Sequence, residues 1–356
     1  MLTKVLATYG FHENKCAVLP FGNGLINNTW IINCDHQRWI LQRINENVFK
    51  NPLAIGENID SITTYLSKHE PAYFFTKPVK TIDNKSMMHD GSNGYFRMFP
   101  YVEGSHTVDV VNTTGEAFEA AAQFAKFTMA LRNFNCRSLH ITLPDFHNLD
   151  LRYKQFLESL ETGARSRIQK ASALISFLKT QENIVKEYNQ IKVNPEFKLR
   201  VTHHDTKISN VLFTKDNLGV CVIDLDTVMP GYFISDVGDM MRTYLCPVSE
   251  EEKDLSLIET RDEYFLAIVT GYLSEMQTEL SETEKKYFVY AGKFMICMQA
   301  IRFVTDYLNN DIYYGQKYEG HNFIRALNQA TLLKKLIEKE DALQEKALKL
   351  SHLPVL

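Results

Sequence analysis

The segment HHDTKISNVLF, residues 203–213, carries side chains whose types and spacing suit chemistry. It contains two histidines, then Asp205, Lys207 and Asn210, and then becomes apolar. A second acidic segment, VIDLDTVMPG, contributes Asp224 and Asp226. Carboxylate and amide oxygens are hard ligands of the kind that Mg²⁺ prefers, and Mg²⁺ uses few protein ligands beside phosphate oxygens and water. The two segments therefore predict a site for a divalent cation.

A β-hairpin is the element that must bring the two segments together. The short apolar runs NVLFT and VCVID are separated by the turn KDNLG, which is typical of a hairpin. The open ends of a hairpin meet, so we expect Asn210 and Asp224 to be neighbours. Asp205 lies outside the hairpin and can face a substrate hydroxyl. An aspartate for the nucleophile and an Asn/Asp pair for the metal are what phosphoryl transfer requires.

The spacing in the first segment matches a catalytic pattern. HHDTKISN keeps the H-x-D-x-x-x-x-N spacing of the protein-kinase catalytic loop. Lys207 follows Asp205 by two residues, where it can neutralise charge on a transferring phosphoryl group. Each Asp or Asn alone would be ordinary turn chemistry, but a turn does not require this spacing. His203 and His204 are interpreted as structural residues.

Length, charge and cysteine content limit the class of protein. The chain has 356 residues, enough for two lobes, and its formal net charge of −4 argues against a mainly electrostatic nucleic-acid binder. The six cysteines predict neither a zinc site nor a disulfide framework. We find no secretory signal in the N-terminal segment, and Lys293 and Arg302 interrupt the most apolar later segment. We expect a cytoplasmic protein without a nucleic-acid or membrane partner.

The elements predict an α+β chain of two lobes. The runs NTWIINC and RWILQRI indicate a hairpin, and a helical segment follows from Pro52. After residue 107 the chain is mainly helical, apart from the hairpin described above. We therefore predict a small mixed α/β lobe with an antiparallel sheet (1–97), a linker (98–106) and a larger, mainly helical lobe (107–356).

Together these motifs resemble those of a known family. The matching stretches are GNGLINNTW, ILQRINENVFKNP, FRMFPYVEGS, HHDTKISNVLF, VIDLDTVMPGYFISDVGDMMR and IRFVTDYLNND. Through them the chain resembles the aminoglycoside phosphotransferase and choline kinase-like family, and within it the N-acetylhexosamine 1-kinases. The resemblance implies a protein-kinase-like fold. It also implies Mg²⁺-dependent transfer of phosphate from ATP to the anomeric hydroxyl of GlcNAc or GalNAc.

The resemblance assigns roles to the motif residues. By position, Asp205 matches the catalytic aspartate that orients or deprotonates the substrate hydroxyl. Asn210 and Asp224 match the metal ligands, and Asp226 is a further candidate for contact with a metal. Asp236 and Asp239 are expected to cap or brace the helix that follows.

The small lobe and linker are expected to hold the nucleotide. Gly22 and Gly24 would let the backbone approach the triphosphate. The strand WILQRIN lacks the lysine of the V-A-I-K pattern, so Arg43 is the candidate phosphate-facing cation and Gln42 its rival, since strand residues alternate faces. Glu57 is either the partner of Arg43 or a surface glutamate. The residues expected to hold adenine are Met98, Phe99 and Tyr101.

The acceptor site is expected in the helical lobe. Arg302 and Tyr313 lie in the polar and aromatic stretch RFVTDYLNNDIYYG, and planar donors and aromatic rings suit a sugar. Arg242 is a weaker candidate, and either arginine could instead be an ion-pair residue. The sequence contains no A-P-E segment, which favours a small acceptor. We expect ATP and a small sugar as ligands, and nothing in the sequence requires more than a monomer.

Other functions are compatible with these residues. The acceptor could be another small alcohol, such as an aminoglycoside, choline or homoserine, but a cationic acceptor needs an acidic pocket that the Arg302 region does not resemble. A pseudokinase that only binds nucleotide or sugar would not need Asp205, Asn210 and Asp224 together. A metal-dependent hydrolase is a third alternative.

Overall fold

The computed structural model describes residues 2–22 and 26–353, with only the backbone of residues 13 and 92. The predicted fold is confirmed: a small lobe with an antiparallel sheet is followed by a larger helical lobe. The small lobe consists of α1 (Leu2–Thr8), β1 (Cys16–Pro20), β2 (Asn28–Cys34), β3 (Gln37–Arg43), α2 (Pro52–His69), β4 (Met88–His89) and β5 (Tyr95–Pro100). Its five strands are ordered β1-β2-β3-β5-β4, and each neighbouring pair is antiparallel.

The large lobe is a helical assembly with short strands near the linker. Its helices are α3 (Thr114–Ala130), α4 (Leu149–Thr162), α5 (Arg165–Lys170), α6 (Ser172–Thr180), α7 (Glu182–Val193), α8 (Phe233–Tyr244), α9 (Asp262–Met276), α10 (Phe288–Leu308), α11 (His321–Glu338) and α12 (Glu340–Ser351). Its strands are β6 (Arg200–Thr202), β7 (Val211–Phe213), β8 (Gly219–Val222) and β9 (Met229–Gly231), which form the pairs β6–β9 and β7–β8.

Local sequence explains where the two helices on either side of the linker begin. Asn51 accepts a hydrogen bond from the Ala54 amide, and Pro52 occupies the first turn of α2, where no amide proton is needed. Thr113 and Glu116 form a reciprocal capping box at the start of α3. Such caps satisfy backbone donors that have no partner within the helix.

Helix α2 packs on the large lobe rather than on the small-lobe core. Its apolar residues Ile55, Ile59 and Ile62 belong to the same buried cluster as α3, α8 and α10. The small-lobe core is a separate cluster, which includes Val5, Leu6, Tyr9, Ile32, Leu41, Met88, Phe96 and Met98. The described residues therefore form two apolar cores, and α2 belongs to the one formed by the large lobe.

A buried asparagine fixes α2 in this position. Asn58 is 1% exposed, and its Nδ2 donates to the carbonyl oxygens of His140 (2.9 Å) and Val228 (3.1 Å). Its Oδ1 accepts from the His140 amide at 2.8 Å. The division at residues 97 and 106 stays a prediction, and strand β5 continues into the predicted linker as far as Pro100.

Helix α10 contains the most apolar segment of the sequence, the one that Lys293 and Arg302 interrupt. Seventeen of its 21 residues are buried, and Lys293 pairs with Glu340 of α12. Among the described residues, no helix has the length and apolar character needed to cross a membrane.

The cysteine prediction was wrong for one pair. Cys16 and Cys34 form a disulfide, with their Cα atoms 4.3 Å apart. They lie 18 residues apart in sequence, but the antiparallel register of β1 and β2 places them directly opposite each other. The other four cysteines are buried free thiols.

Candidate active site

The loop between β6 and β7 carries Asp205, and helix α8 holds its backbone. The carboxylate of Asp236 accepts hydrogen bonds from the His203 amide (3.0 Å) and the His204 amide (2.7 Å). Asp239, one turn later, accepts from the Thr206 amide at 2.8 Å. The side chain of neither aspartate caps α8 itself. The two carboxylates therefore brace the loop, where the sequence suggested that they cap or brace their own helix.

The two loop histidines have structural contacts, as interpreted from the sequence. The Nε2 of His203 donates to the Ile223 carbonyl at 2.9 Å, which joins the loop to the end of the hairpin. His204 Nδ1 lies 3.3 Å from His147 Nδ1. Burial lowers the pKa of His203, and it lowers that of His204 to about 4. Both rings are therefore neutral at physiological pH.

Asp205 lies at the edge of this buried loop with two donors against it. Its Oδ2 lies 3.0 Å from Lys207 Nζ and accepts from Asn210 Nδ2 at 3.0 Å. Burial favours a raised pKa for Asp205, but the charge of Lys207 and these hydrogen bonds outweigh burial and the pKa is lowered. The carboxylate is therefore ionised and can accept a hydrogen bond from a substrate hydroxyl.

The hairpin brings Asn210 beside Asp224, as the sequence predicts. The Ile223 amide donates to the Asn210 carbonyl at 2.9 Å, and Asp224 has a left-handed backbone with φ of 62°. Burial, followed by Asp226 and Asp205, raises the pKa of Asp224 to about 7. Such a crowded carboxylate is stabilised as an anion when a cation arrives.

The donor set fits a Mg²⁺ ion that is bound mainly through a nucleotide. Asn210 uses Nδ2 for Asp205, so its Oδ1 is left for a cation. In residues 2–22 and 26–353 no group of three or more His, Cys, Asp or Glu residues could hold a metal by itself. One amide oxygen and one carboxylate match the way Mg²⁺ is held when phosphate and water complete its coordination.

Asp226 has contacts other than those expected of a free metal ligand. One carboxylate oxygen forms an ion pair with Arg97, and the other accepts from Asn27 Nδ2 at 2.7 Å. Arg97 and Asn27 belong to the small lobe, so Asp226 links the two lobes. Its metal role stays a prediction.

The small-lobe sheet turns Gln42, rather than Arg43, towards this site. Gln42 lies opposite Arg97 on β5, and its Oε1 accepts from Arg97 Nε at 3.0 Å. Arg43 is the next residue of β3 and lies on the other face, beside Gly94. Arg43 and Glu57 form no ion pair in the described part of the chain, and Glu57 instead pairs with His140 at 2.8 Å.

The three residues that were expected to hold adenine differ in their surroundings. The Met98 side chain is fully buried in the small-lobe core, and Phe99 is half-buried with its ring 5.3 Å from the Arg97 guanidinium. The Tyr101 ring lies 6.1 Å from the ring of Phe21 and 4.0 Å from the Arg38 guanidinium. Phe99 and Tyr101 can therefore contact a nucleotide, whereas the Met98 side chain cannot without leaving the core.

The predicted phosphate-covering loop is described in part. Gly22 has φ of +74°, a conformation that favours glycine, and no described atom beyond its chain neighbours lies within 4 Å of the position that a Cβ would occupy. Gly24 lies outside the described residues.

A cavity of about 410 Å³ in the helical lobe contains two of the predicted acceptor residues, Arg302 and Tyr313. Arg152, which sequence reasoning missed, lies in the same wall. Burial, with the nearby charge of Arg302, lowers the pKa of Arg152. The other lining residues are Gln155, Glu158, Ser159, Thr162, Thr305, Asp306, Asn309 and Tyr314.

The two guanidinium groups of the cavity lack carboxylate partners. Arg302 donates to Gln299 at 3.2 Å, and Arg152 donates to Gln155 (3.0 Å) and to the Asp145 carbonyl (2.9 Å). These partners are neutral, and neither arginine forms an ion pair within residues 2–22 and 26–353. Arg242 differs, because Asp239 and Glu250 hold it on two sides. The structure therefore gives Arg242 the contacts of an ion-pair residue.

A short series of contacts joins the cavity to the loop of Asp205. The guanidinium of Arg302 lies 6.0 Å from the Phe146 ring, which stacks on His147 at 4.4 Å. His147 in turn contacts His204, the neighbour of Asp205. Arg302 and Asp205 thus belong to one region of the large lobe.

Comparison with known proteins gives a consistent result. Residues 17–269 match the model described as "Phosphotransferase enzyme family". The fold is similar to an aminoglycoside phosphotransferase from Alicyclobacillus acidocaldarius (13% identity, 98% of this chain and 96% of that chain, TM-score 0.65). It is also similar to an amicoumacin kinase in complex with AMP-PNP and Ca²⁺ (15%, 94% and 92%, 0.58) and to a choline kinase from Cryptosporidium parvum (14%, 96% and 94%, 0.57).

Proposed function

The chain belongs to the phosphotransferase enzyme family and is a small-molecule phosphotransferase, and we propose that its acceptor is an N-acetylhexosamine. In this proposal the γ-phosphate of ATP is transferred to the anomeric hydroxyl of GlcNAc or GalNAc. The proposed reaction forms the new O–P bond directly, without a covalent enzyme intermediate.

The two unpaired arginines of the cavity are the observation that carries this proposal. Arg152 and Arg302 disfavour a cationic acceptor such as choline or an aminoglycoside, because they offset the charges of Glu158 and Asp306 in the same lining and leave no strongly acidic pocket. A neutral, oxygen-rich sugar offers hydroxyl and carbonyl oxygens that guanidinium groups can donate to. Tyr313 and Tyr314 add aromatic surface, on which the apolar face of a sugar ring can pack.

The catalytic roles follow from the geometry of the loop. Asp205, ionised and partly exposed, is proposed to hold the acceptor hydroxyl and take its proton as the bond to phosphorus forms. Lys207, 3.0 Å from it, is placed to offset negative charge on the transferring group. Asn210 and Asp224 would hold Mg²⁺, which supplies neutralisation of phosphate charge when bound.

An acceptor panel tests the proposal directly. The full chain is incubated with Mg²⁺ and ATP and with GlcNAc, GalNAc, glucose, choline, homoserine or an aminoglycoside, and ADP release is measured. We expect the N-acetylhexosamines to give the highest kcat/KM, and ³¹P NMR to place the phosphate on the anomeric oxygen. A higher kcat/KM with choline or the aminoglycoside than with any sugar would exclude the proposed acceptor.

A variant of the cavity provides a matched control for this panel. Replacing Arg302 with Met should raise the KM for the sugar by about tenfold, the effect of one lost charged hydrogen bond of about 1.4 kcal/mol, and leave the KM for ATP unchanged. Replacing the exposed Lys154, which pairs with Asp150 on the same lobe, should change neither KM.

A further inference from the structure

Arg97 is a buried cation for which the proposed mechanism has no role. It lies in the middle of β5, and its side chain is only 2% exposed. Buried arginines are rare unless paired, and this one faces the junction of the two lobes rather than the small-lobe core. Its partners are Gln42, Asp226 and Asp224, the last at 4.0 Å between Nη2 and Oδ1.

The guanidinium of Arg97 retains unused donor capacity. Nε is satisfied by Gln42, and Nη1 lies against the Asp226 carboxylate. Nη2 is buried and makes no hydrogen bond of good geometry with the described residues. Buried donors without partners are uncommon, so a ligand that brings acceptor oxygens to this point would complete the site.

The charges around Arg97 also favour a phosphate ligand. Three carboxylates, of Asp205, Asp224 and Asp226, surround the site, while Lys207 and Arg97 are the cations in contact with them. A divalent ion on Asp224 would bring its phosphate ligands close to Arg97, because Nη2 is 4.0 Å from that carboxylate. Arg43 lies on the opposite face of the sheet and has no such contact.

We propose that Arg97 is the small-lobe residue that binds the phosphates of the nucleotide. Gln42 occupies the site-facing position on β3, where it carries no charge and instead orients Arg97 through Nε. The positive charge thus comes from the neighbouring strand β5. This inference rests on the proposed kinase function, but it concerns nucleotide binding and not the identity of the acceptor.

Calorimetric titration of the full chain with ADP, in the presence and absence of Mg²⁺, tests the proposal without turnover. Replacing Arg97 with Met should weaken ADP binding by about 10- to 100-fold, because a charge-assisted contact to phosphate is lost. Replacing it with Lys should recover part of this loss. As a control, Lys85→Met removes an exposed small-lobe cation, 71% exposed, and should leave ADP binding unchanged.

A double variant separates phosphate binding from a purely structural role. The Arg97→Met change leaves the buried Asp226 carboxylate unpaired, and this alone can destabilise the fold. The variant Arg97→Met/Asp226→Asn removes both charges. If it binds ADP at least tenfold more weakly than the single variant Asp226→Asn, the proposal is supported. If it binds ADP as tightly as Asp226→Asn, Arg97 only neutralises Asp226 and the proposal is overturned.

The Arg43→Met variant tests the rival residue. A loss of ADP affinity in Arg43→Met with none in Arg97→Met would also overturn the proposal. If the wild type binds Mg·ADP but phosphorylates no acceptor in the panel, the proposed acceptor is rejected. The role of Arg97 in nucleotide binding is then tested by the ADP affinities alone. A wild type that binds no ADP would overturn both.

Discussion

The carboxylate of Asp205 lies where the β6–β7 loop meets the β7–β8 hairpin, through its contact with Asn210. Its lowered pKa has a specific origin, the ammonium group of Lys207 and the amide of Asn210. Both donors come from the same short loop, so the charge state of Asp205 is set locally. The effect of a single substitution in this loop on the charge of Asp205 can therefore be attributed to the loop itself.

Replacing Asp205 with Asn should lower kcat by about two to four orders of magnitude, because the group that accepts the hydroxyl proton is lost. Nucleotide affinity should be nearly unchanged, since Asn210 and Asp224 are retained. Steady-state kinetics and ADP titration measure the two effects separately. Asp216→Asn, in the exposed hairpin turn, is the control. Full turnover by Asp205→Asn would show that another group performs this role.

The buried histidine His204 predicts a pH dependence of stability. Burial lowers its folded-state pKa to about 4, whereas the unfolded side chain titrates near 6.5. The contribution of neutral His204 to the free energy of unfolding is therefore fully present above pH 6.5. It is lost as the pH falls towards 4, because in this range only the unfolded state takes up the proton.

The variant His204→Gln isolates this contribution. The unfolding free energy of the wild type, relative to the variant, should fall by about 1.3 kcal/mol between pH 7.5 and pH 5.5. Urea unfolding at both pH values measures the difference, and His12→Gln, at an exposed position, should show none. A difference that does not change with pH would contradict the assignment.

The proximity of the candidate site residues was easier to predict from the sequence than the residues that support them. Asp205, Asn210 and Asp224 follow a spacing that catalysis constrains. Arg97 and Arg152 have no such signal, because a single arginine in an apolar strand or a charged helix is common and only the fold shows what it faces. The choice between Gln42 and Arg43 needed the register of β3 and β5, which local sequence does not determine.

At the scale of elements, helix α8 and helix α2 both support the candidate site. Helix α8 holds the loop backbone through Asp236 and Asp239. Helix α2 is fixed to the large lobe by Asn58, whose side chain bridges the carbonyls of His140 and Val228. Val228 belongs to the segment that follows Asp224 and Asp226, so α2 supports the segment that carries these candidate metal ligands.

Replacing Asn58 with Ala should destabilise the protein by about 2–4 kcal/mol, because buried backbone groups of the large lobe lose their partner. Urea unfolding measures this change. Asn47→Ala, at an exposed position shortly before the helix, should change stability by less than about 0.5 kcal/mol. If the two variants were equally stable, the bridging role of Asn58 would be rejected.

The elements themselves were largely predictable, and their partners were not. Apolar periodicity predicts which face of α2 is buried, but it cannot state whether the sheet or the large lobe covers that face. The hairpin β7–β8 was confirmed because its turn and alternation are local signals. The Cys16–Cys34 disulfide depends on the pairing of β1 with β2, which the local sequence does not reveal.

At the scale of the whole molecule, the two apolar cores predict two levels of protection from hydrogen exchange. The small-lobe core has few fully buried side chains, whereas α10 is buried along most of its length. Amides of β1, β2 and β3 should exchange faster than those of α10, because opening the small lobe exposes less apolar surface. Mass-spectrometric hydrogen exchange measures both.

Helix α2 is the informative element in that experiment. Its amides should show the slow exchange of the large lobe, because Ile55, Ile59 and Ile62 lie in the large-lobe core. The exposed turn between β7 and β8, residues 215–218, provides a fast-exchanging reference. Exchange of α2 at the rate of β1–β3 would show that α2 opens together with the sheet.

The attachment of α2 also bears on how the chain could be cut into two fragments. A cut within the predicted linker (98–106) would leave α2 on the N-terminal fragment with its isoleucine face uncovered, and the C-terminal fragment with a matching apolar groove. Such fragments would be poorly soluble apart and would recombine through that face. The linker is therefore a site for a complementation reporter, in which reassembly of the two pieces restores phosphotransfer, rather than a site for isolating an independent nucleotide-binding lobe.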